Sequence, residues 1–248
     1  MSGTSDMGEV VIRVEQAHNP WMRTYHADRQ ICQAGSCSIK YPFDDVMNGS
    51  SRARLAEADL RLAAFLVGIP GVEEANLDTH RMYAVIGRVF EWDAIEPEII
   101  AAIKRAAVGL EMPAHVLLPA PDKLVVGFEE AVNNELMGKV HFGEVISETW
   151  IWAYDGISRF EPDDLAPVGP IGTSLVQRLM ALPKITEVYL RPYSLTLQVD
   201  RQESWLSAIE ELKSAIASVF PNRTIEARVI PKQVPLLPPL DLRDIGMA

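Results

Sequence analysis

"LAAFLVGIPGVEEANLDTHRMYAVIGRVFEWDAIEPEIIAAI", residues 62–103, lies without a gap over "LVQRLMALPKITEVYLRPYSLTLQVDRQESWLSAIEELKSAI", residues 175–216. At this one offset Leu66 falls on Leu179, Pro70 on Pro183, Glu74 on Glu187 and Leu77 on Leu190. Arg88 falls on Arg201, Trp92 on Trp205, Glu98 on Glu211, and Ala102-Ile103 on Ala215-Ile216. Two amphipathic segments can share apolar spacing by chance. Coincidence of a proline and a tryptophan at the same offset favours a tandem duplication.

Each copy reads as helix, strand, strand, helix. Leu62, Phe65, Leu66 and Ile69 have the spacing of one helical face, and Pro70-Gly71 ends that helix. Leu175, Leu179 and Leu182 repeat the pattern before Pro183. Leu195, Leu197 and Val199 alternate with Thr196 and Gln198, as in a strand with one buried face. Trp92, Ile95, Ile99 and Ile103 stripe one closing helix, and Trp205, Ile209, Leu212 and Ile216 the other. Strand candidates precede each core: "EVVIRVEQA" and "RTYHADRQIC", then "KVHFGEVI" and "TWIWAY".

The expected fold is α+β: two tandem ββαββα-like sandwiches, mainly antiparallel sheets with helices on one face. The expected boundaries are 9–112 for the first domain, 113–123 for a linker and 124–222 for the second. An extended proline-rich C-terminal tail is expected over 223–248, where "IPKQVPLLPPLDLRDIGMA" is apolar yet poorly suited to a ladder or a helix.

The 248 residues suffice for two such domains, and 48% hydrophobic with 23% charged residues is ordinary for a globular chain. A net charge of −11 with no dense Lys/Arg run argues against nucleic acid. No apolar stretch reaches the length of a membrane span, and "MSGTSDMGEV" does not read as a secretory signal. Two cysteines make no disulfide framework, so the expected location is a reducing cytoplasm.

Three stretches carry a family likeness: "QAHNPWMRTYHADRQICQAG", "ADLRLAAFLVGIPGVEEANL", and the extended run before "EWDAIEPEIIAAI". In order and spacing, residues 10–107 resemble the N-terminal domain of NifU-like (Nfu) iron–sulfur scaffold proteins. The second half looks like a divergent copy, recognisable from 171 to 220. His18-Asn19-Pro20 stands where that family has Pro-Asn-Pro. The family binds its cluster through a Cys-x-x-Cys motif in a separate domain, and this chain has no such motif. The resemblance therefore implies the accessory domain without the cluster chemistry.

"QICQAGSC", residues 30–37, holds both cysteines. The plainest reading has Cys32 ending a strand as a small hydrophobe, Gly35-Ser36 turning, and Cys37 starting the next extended segment. As a metal set, His18, His26, Cys32 and Cys37 supply two imidazoles and two thiolates, an inventory adequate for zinc though poorly spaced for a zinc knuckle. An iron–sulfur cluster would need four thiolates, which only a dimer could pool. A reversible disulfide is the third alternative. No resident cofactor is expected.

No G-x-S-x-G elbow, P-loop, G-x-G-x-x-G or H-E-x-x-H occurs, and a site between the two copies remains the enzymatic alternative. The adjacent acids Asp44-Asp45, Glu73-Glu74, Glu129-Glu130 and Asp163-Asp164 read as a solvated rim. His80 and Tyr193 occupy equivalent turns and read as cover for the sheet edges. Trp150, Trp152 and Tyr154 share one strand face and, with Leu236, Leu237 and Leu240 of the tail, are the candidates for contact with a protein partner. The resemblance implies a non-enzymatic binding or adaptor protein, accessory to iron–sulfur protein maturation, that engages a protein partner or itself. The alternative is a structural subunit of a large assembly, viral or multiprotein, using the tail as a docking arm.

Overall fold

The structure is a computed structural model that describes residues 9–33, 35–113, 122–131, 134–149, 152–154 and 162–231. The chain is α+β and builds two sheets, each covered by helices. In the first half β1 (Ile12–Gln16), β2 (Met22–Ala27) and β3 (Cys37–Lys40) precede α1 (Asp45–Arg52) and α2 (Glu57–Gly68). Then come β4 (Val72–Leu77), β5 (Arg81–Ile86) and α3 (Trp92–Ala107). In the second half β6 (Lys123–Glu130), β7 (Met137–Phe142) and β8 (Trp152–Tyr154) precede α4 (Gly169–Met180). There follow β9 (Ile185–Arg191), β10 (Ser194–Val199), α5 (Trp205–Val219) and β11 (Thr224–Ile230).

The two sheets have matching strand orders, β1-β2-β5-β4-β3 and β6-β7-β10-β9-β8, the second extended by β11 beside β6. Every pairing is antiparallel except β11 with β6. The alternation read from the chain is the one that packs: Met82, Ala84 and Ile86 of β5 are buried, as are Leu195, Leu197 and Val199 of β10. Beneath them α2 and α3 bring Leu62, Leu66, Ile99 and Ile103, and α4 and α5 bring Leu175, Leu179, Leu212 and Ile216.

Three expectations are corrected. Each half has a third strand before its first packed helix, so the order is βββαββα rather than ββαββα (α1 and α2 together fill the first helical position). β2 stops at Ala27, where Asp28 turns the chain by taking the Val11 amide on its carboxylate at 3.1 Å, so Cys32 lies in a loop. The expected tail at 223–248 begins too early: residues 224–230 are β11, paired in register from Thr224↔Lys123 to Ile230↔Glu129. The prolines that forbid a ladder start only at Pro231, and Thr224, Ile225, Val229 and Ile230 are β-branched. Leu236, Leu237 and Leu240 lie outside the described residues.

The same register position is solved differently in the two halves. Arg23 of β2 stands opposite Ala84, and Gly138 of β7 stands opposite Leu197, the residue that the sequence offset sets on Ala84. Arg23 lays its guanidinium 4.8 Å from the centre of the Trp92 ring and pairs with Glu96 at 2.6 Å. Gly138 leaves that space to Trp205, whose ring rests directly on the sheet.

Candidate functional site

Buried charge concentrates where the two halves meet. The turn after β5 carries Arg88, whose guanidinium stacks 4.4 Å from the centre of the Trp21 ring and donates to Glu129 Oε1. Glu129 sits on β6, and its other oxygen accepts from His141 Nε2 on β7 at 2.9 Å. Glu129 and His141 are both buried. Gly127 permits this contact, because a Cβ there would lie 2.8 Å from Val89 and 2.5 Å from Ile230. At the rim Arg228 of β11 approaches Glu91 at 3.9 Å.

A second contact anchors the other side. Tyr193, in the β9–β10 turn, is buried and accepts the Gly71 amide on its hydroxyl at 3.2 Å. Its ring meets Phe90 edge-on at 5.5 Å and Tyr41 at 5.8 Å. Gly71 follows the Pro70 stop of α2 with φ +94, and a Cβ there would lie 2.6 Å from the Phe90 ring. Between the two contacts, burial raises the pKa of Glu73 against the pull of Arg191, Arg88 and Lys139.

Glu129 and Glu73 were expected on a solvated rim, and Tyr193 on a sheet edge. All three belong instead to the contact between the halves. The groups that meet them come from the other half, Arg88 at Glu129, Arg191 and Lys139 near Glu73, and Gly71 with Phe90 at Tyr193, which local spacing does not encode.

The clasp is sensitive to protons. Burial holds His141 below its usual pKa, against the hydrogen bond and charge of Glu129, while Arg88 and Lys139 add to the lowering. Burial also pushes Glu129 up, but the His141 hydrogen bond and the charges of Arg88, His141 and Lys139 outweigh it, leaving its pKa lowered. Both groups bind fewer protons folded than unfolded across their titration ranges. Stability from His141 is therefore complete above about pH 6.5 and declines below it, and Glu129 adds a further loss below about pH 4.3. His141→Gln is expected to flatten the dependence of unfolding free energy on pH between about 7 and 5, where urea titrations at several pH values measure it directly.

The four residues weighed as a metal set, His18, His26, Cys32 and Cys37, are not brought together. His18 is exposed in the β1–β2 turn, and His26 on β2 bonds Glu15 at 3.1 Å. Cys37 begins β3, separated from β2 by β5 and β4. Three strand spacings are about 14 Å, against metal–ligand bonds of about 2 Å. Among the described residues no three His, Cys, Asp or Glu side chains are grouped to hold a metal. Cys32 and Cys37 are buried free thiols in contact. The Cys32 hydrogen bond lowers the Cys37 pKa, burial opposes it, and the Leu77 backbone assists. Asp59 fixes their loop by accepting the Gln33 amide on both oxygens, at 3.1 and 3.0 Å. The Cys32→Ser/Cys37→Ser variant is expected to fold with a loss of about 1–3 kcal/mol in denaturant titration, the cost of two hydroxyls in an apolar site.

Of the aromatic candidates, Trp152 and Tyr154 lie on β8, the edge strand, opposite Leu190 and Val188. Trp150 lies outside the described residues.

No protein-family model and no curated protein matches the chain. Among solved structures, a NifU-like protein from Saccharomyces cerevisiae, determined by NMR, is similar at 19% identity, covering 45% of this chain and 89% of its own, with a TM-score of 0.34. Protein SAV1430 from Staphylococcus aureus is similar at 9% identity, covering 38% of this chain and 98% of its own, with a TM-score of 0.29.

Proposed function

We propose that the chain is a non-enzymatic adaptor of the cytoplasm, accessory to iron–sulfur protein maturation, whose two halves descend from a tandem duplication. The observation that supports this reading is the clasp. Two sheets of matching strand order are joined by an Arg88–Glu129–His141 chain and the Tyr193–Gly71 contact, giving two related surfaces one fixed relation. An adaptor benefits from such rigidity, because pre-organisation lowers the entropy lost when a client docks. No helix among the described residues is long and apolar enough to cross a membrane.

The test is anaerobic purification, followed by light scattering of the chain mixed with a cluster-loaded Cys-x-x-Cys scaffold and with an apo client. A complex with either one, while the chain alone carries no stoichiometric iron or sulfide, is the expected result. Absence of any complex would remove the adaptor reading. Cluster absorbance that disappears in the Cys32→Ser/Cys37→Ser variant would make the protein a carrier instead.

A further inference from the structure

We propose that β1 is a pairing edge for a second copy of this chain, the two β1 strands running antiparallel about a two-fold axis through Val14. The inference is independent of the adaptor reading and starts from the hydrogen-bond parity of β1. The Asp28 amide donates to Val11 O at 3.1 Å and the Ala17 amide to Met22 O at 3.4 Å, both in the register that pairs Ile12 with Ala27. Residues 11, 13, 15 and 17 therefore turn their backbone groups toward β2. Ile12, Val14 and Gln16 turn theirs outward. Among the described residues no strand pairs with that outer side.

The second half shows what this position accepts. Its counterpart edge, β6, is covered along its length by β11. β1 lacks such a strand, and it leaves Val11 61% and Val14 37% exposed. An open edge with apolar side chains is a template for another strand.

Charge selects the occupant. With Val14 opposite its own symmetry mate, Arg13 of each copy faces Glu15 of the other, twice over. Val14 forms a hydrogen-bonded pair with itself, and Ile12 pairs with Gln16. The Arg13–Glu15 pairs then fall in the non-hydrogen-bonded register, where facing side chains are closest. Such self-complementarity is the signature of a two-fold interface. Arg13 has no ion pair among the described residues, and Glu15 commits only one oxygen, to His26. The outer edge of the other sheet differs: on β11, Arg228 already holds Glu226 at 2.8 Å. A contact five residues long belongs to the small, transient class of interface, so the dimer is concentration-dependent.

Sedimentation velocity of the full chain over about a thousand-fold range of concentration reads this equilibrium. The expected result is a monomer–dimer equilibrium that Arg13→Glu weakens about tenfold or more, by turning both pairs into Glu–Glu. Arg13→Glu/Glu15→Arg is expected to restore it, because the charges are exchanged and the register kept. A monomer at every concentration overturns the proposal and leaves the edge to residues 232–248 or to another protein. A dimer indifferent to Arg13→Glu, or one that the exchanged pair does not rescue, overturns it as well.

Discussion

Alanine at position 138 is expected to destabilise the second half by about 3 kcal/mol or more, at the upper end of what overpacking a core costs. A Cβ on Gly138 would lie 2.0 Å from Cε2 and 2.1 Å from Cδ2 of Trp205, distances that no rotamer adjustment of a methyl group relieves. The ring has nowhere to go. It is 1% exposed, it starts α5, and the Trp205 amide is tied to Glu135 O at 3.3 Å. Either the helix lifts from the sheet or β7 bends, and both break contacts with Leu195, Leu197 and Leu212 in the same core. Arg23→Ala at the equivalent position of the first half is the control. It removes a partly exposed ion pair and a stacked cation, each worth about 1 kcal/mol or less, and overpacks nothing. Urea titrations of the two variants compare the positions directly. Equal effects would mean that Trp205 does not rest on β7.

That asymmetry also explains how far the likeness of the two halves is legible in the sequence. The offset that superposes Leu62–Ile103 on Leu175–Ile216 locates the helix–strand–strand–helix core of both halves, because Pro70, Pro183, Trp92 and Trp205 mark turns and helix starts that local chemistry requires. It fails upstream because Gly138 and Arg23, paired through register, stand two residues off that spacing. The candidate metal set stays apart for a different reason. Spacing along the chain places His26 and Cys37 eleven positions apart, but β5 and β4 insert between their strands, and strand order is a long-range fact. Within Glu129-Glu130 the two acids do point to opposite faces. Only the arrival of Arg88 from the other half converts one of those faces from solvent to interface. β11 was hidden by the proline-rich run after it, although Thr224, Ile225, Val229 and Ile230 carried the β-branched signal.

Arg88→Ala is expected to cost about 3–5 kcal/mol and to uncouple the two halves. The size follows from what the substitution leaves behind rather than from the worth of the pair itself. Glu129, with 8% of its side chain exposed, would keep its charge and one bond from His141 but lose the cation that offsets its desolvation. The Trp21 ring would lose the guanidinium stacked on it as well. Glu129→Gln is the milder change: the amide carbonyl still accepts from His141, and the uncompensated partner becomes Arg88, which at 26% exposure can reach water. The order of effects, Arg88→Ala above Glu129→Gln, therefore distinguishes a buried-charge penalty from a simple lost contact, which would make the two equal. Uncoupling has its own readout. Calorimetry of the parent chain is expected to show one transition and that of Arg88→Ala two, because the Tyr193–Gly71 hydrogen bond and the Tyr193 ring contacts with Phe90 and Tyr41 that remain are worth only about 1 kcal/mol each. A single transition at an unchanged midpoint in Arg88→Ala would show that the apolar contacts of Val89, Phe90 and Tyr193 hold the halves together without the charges.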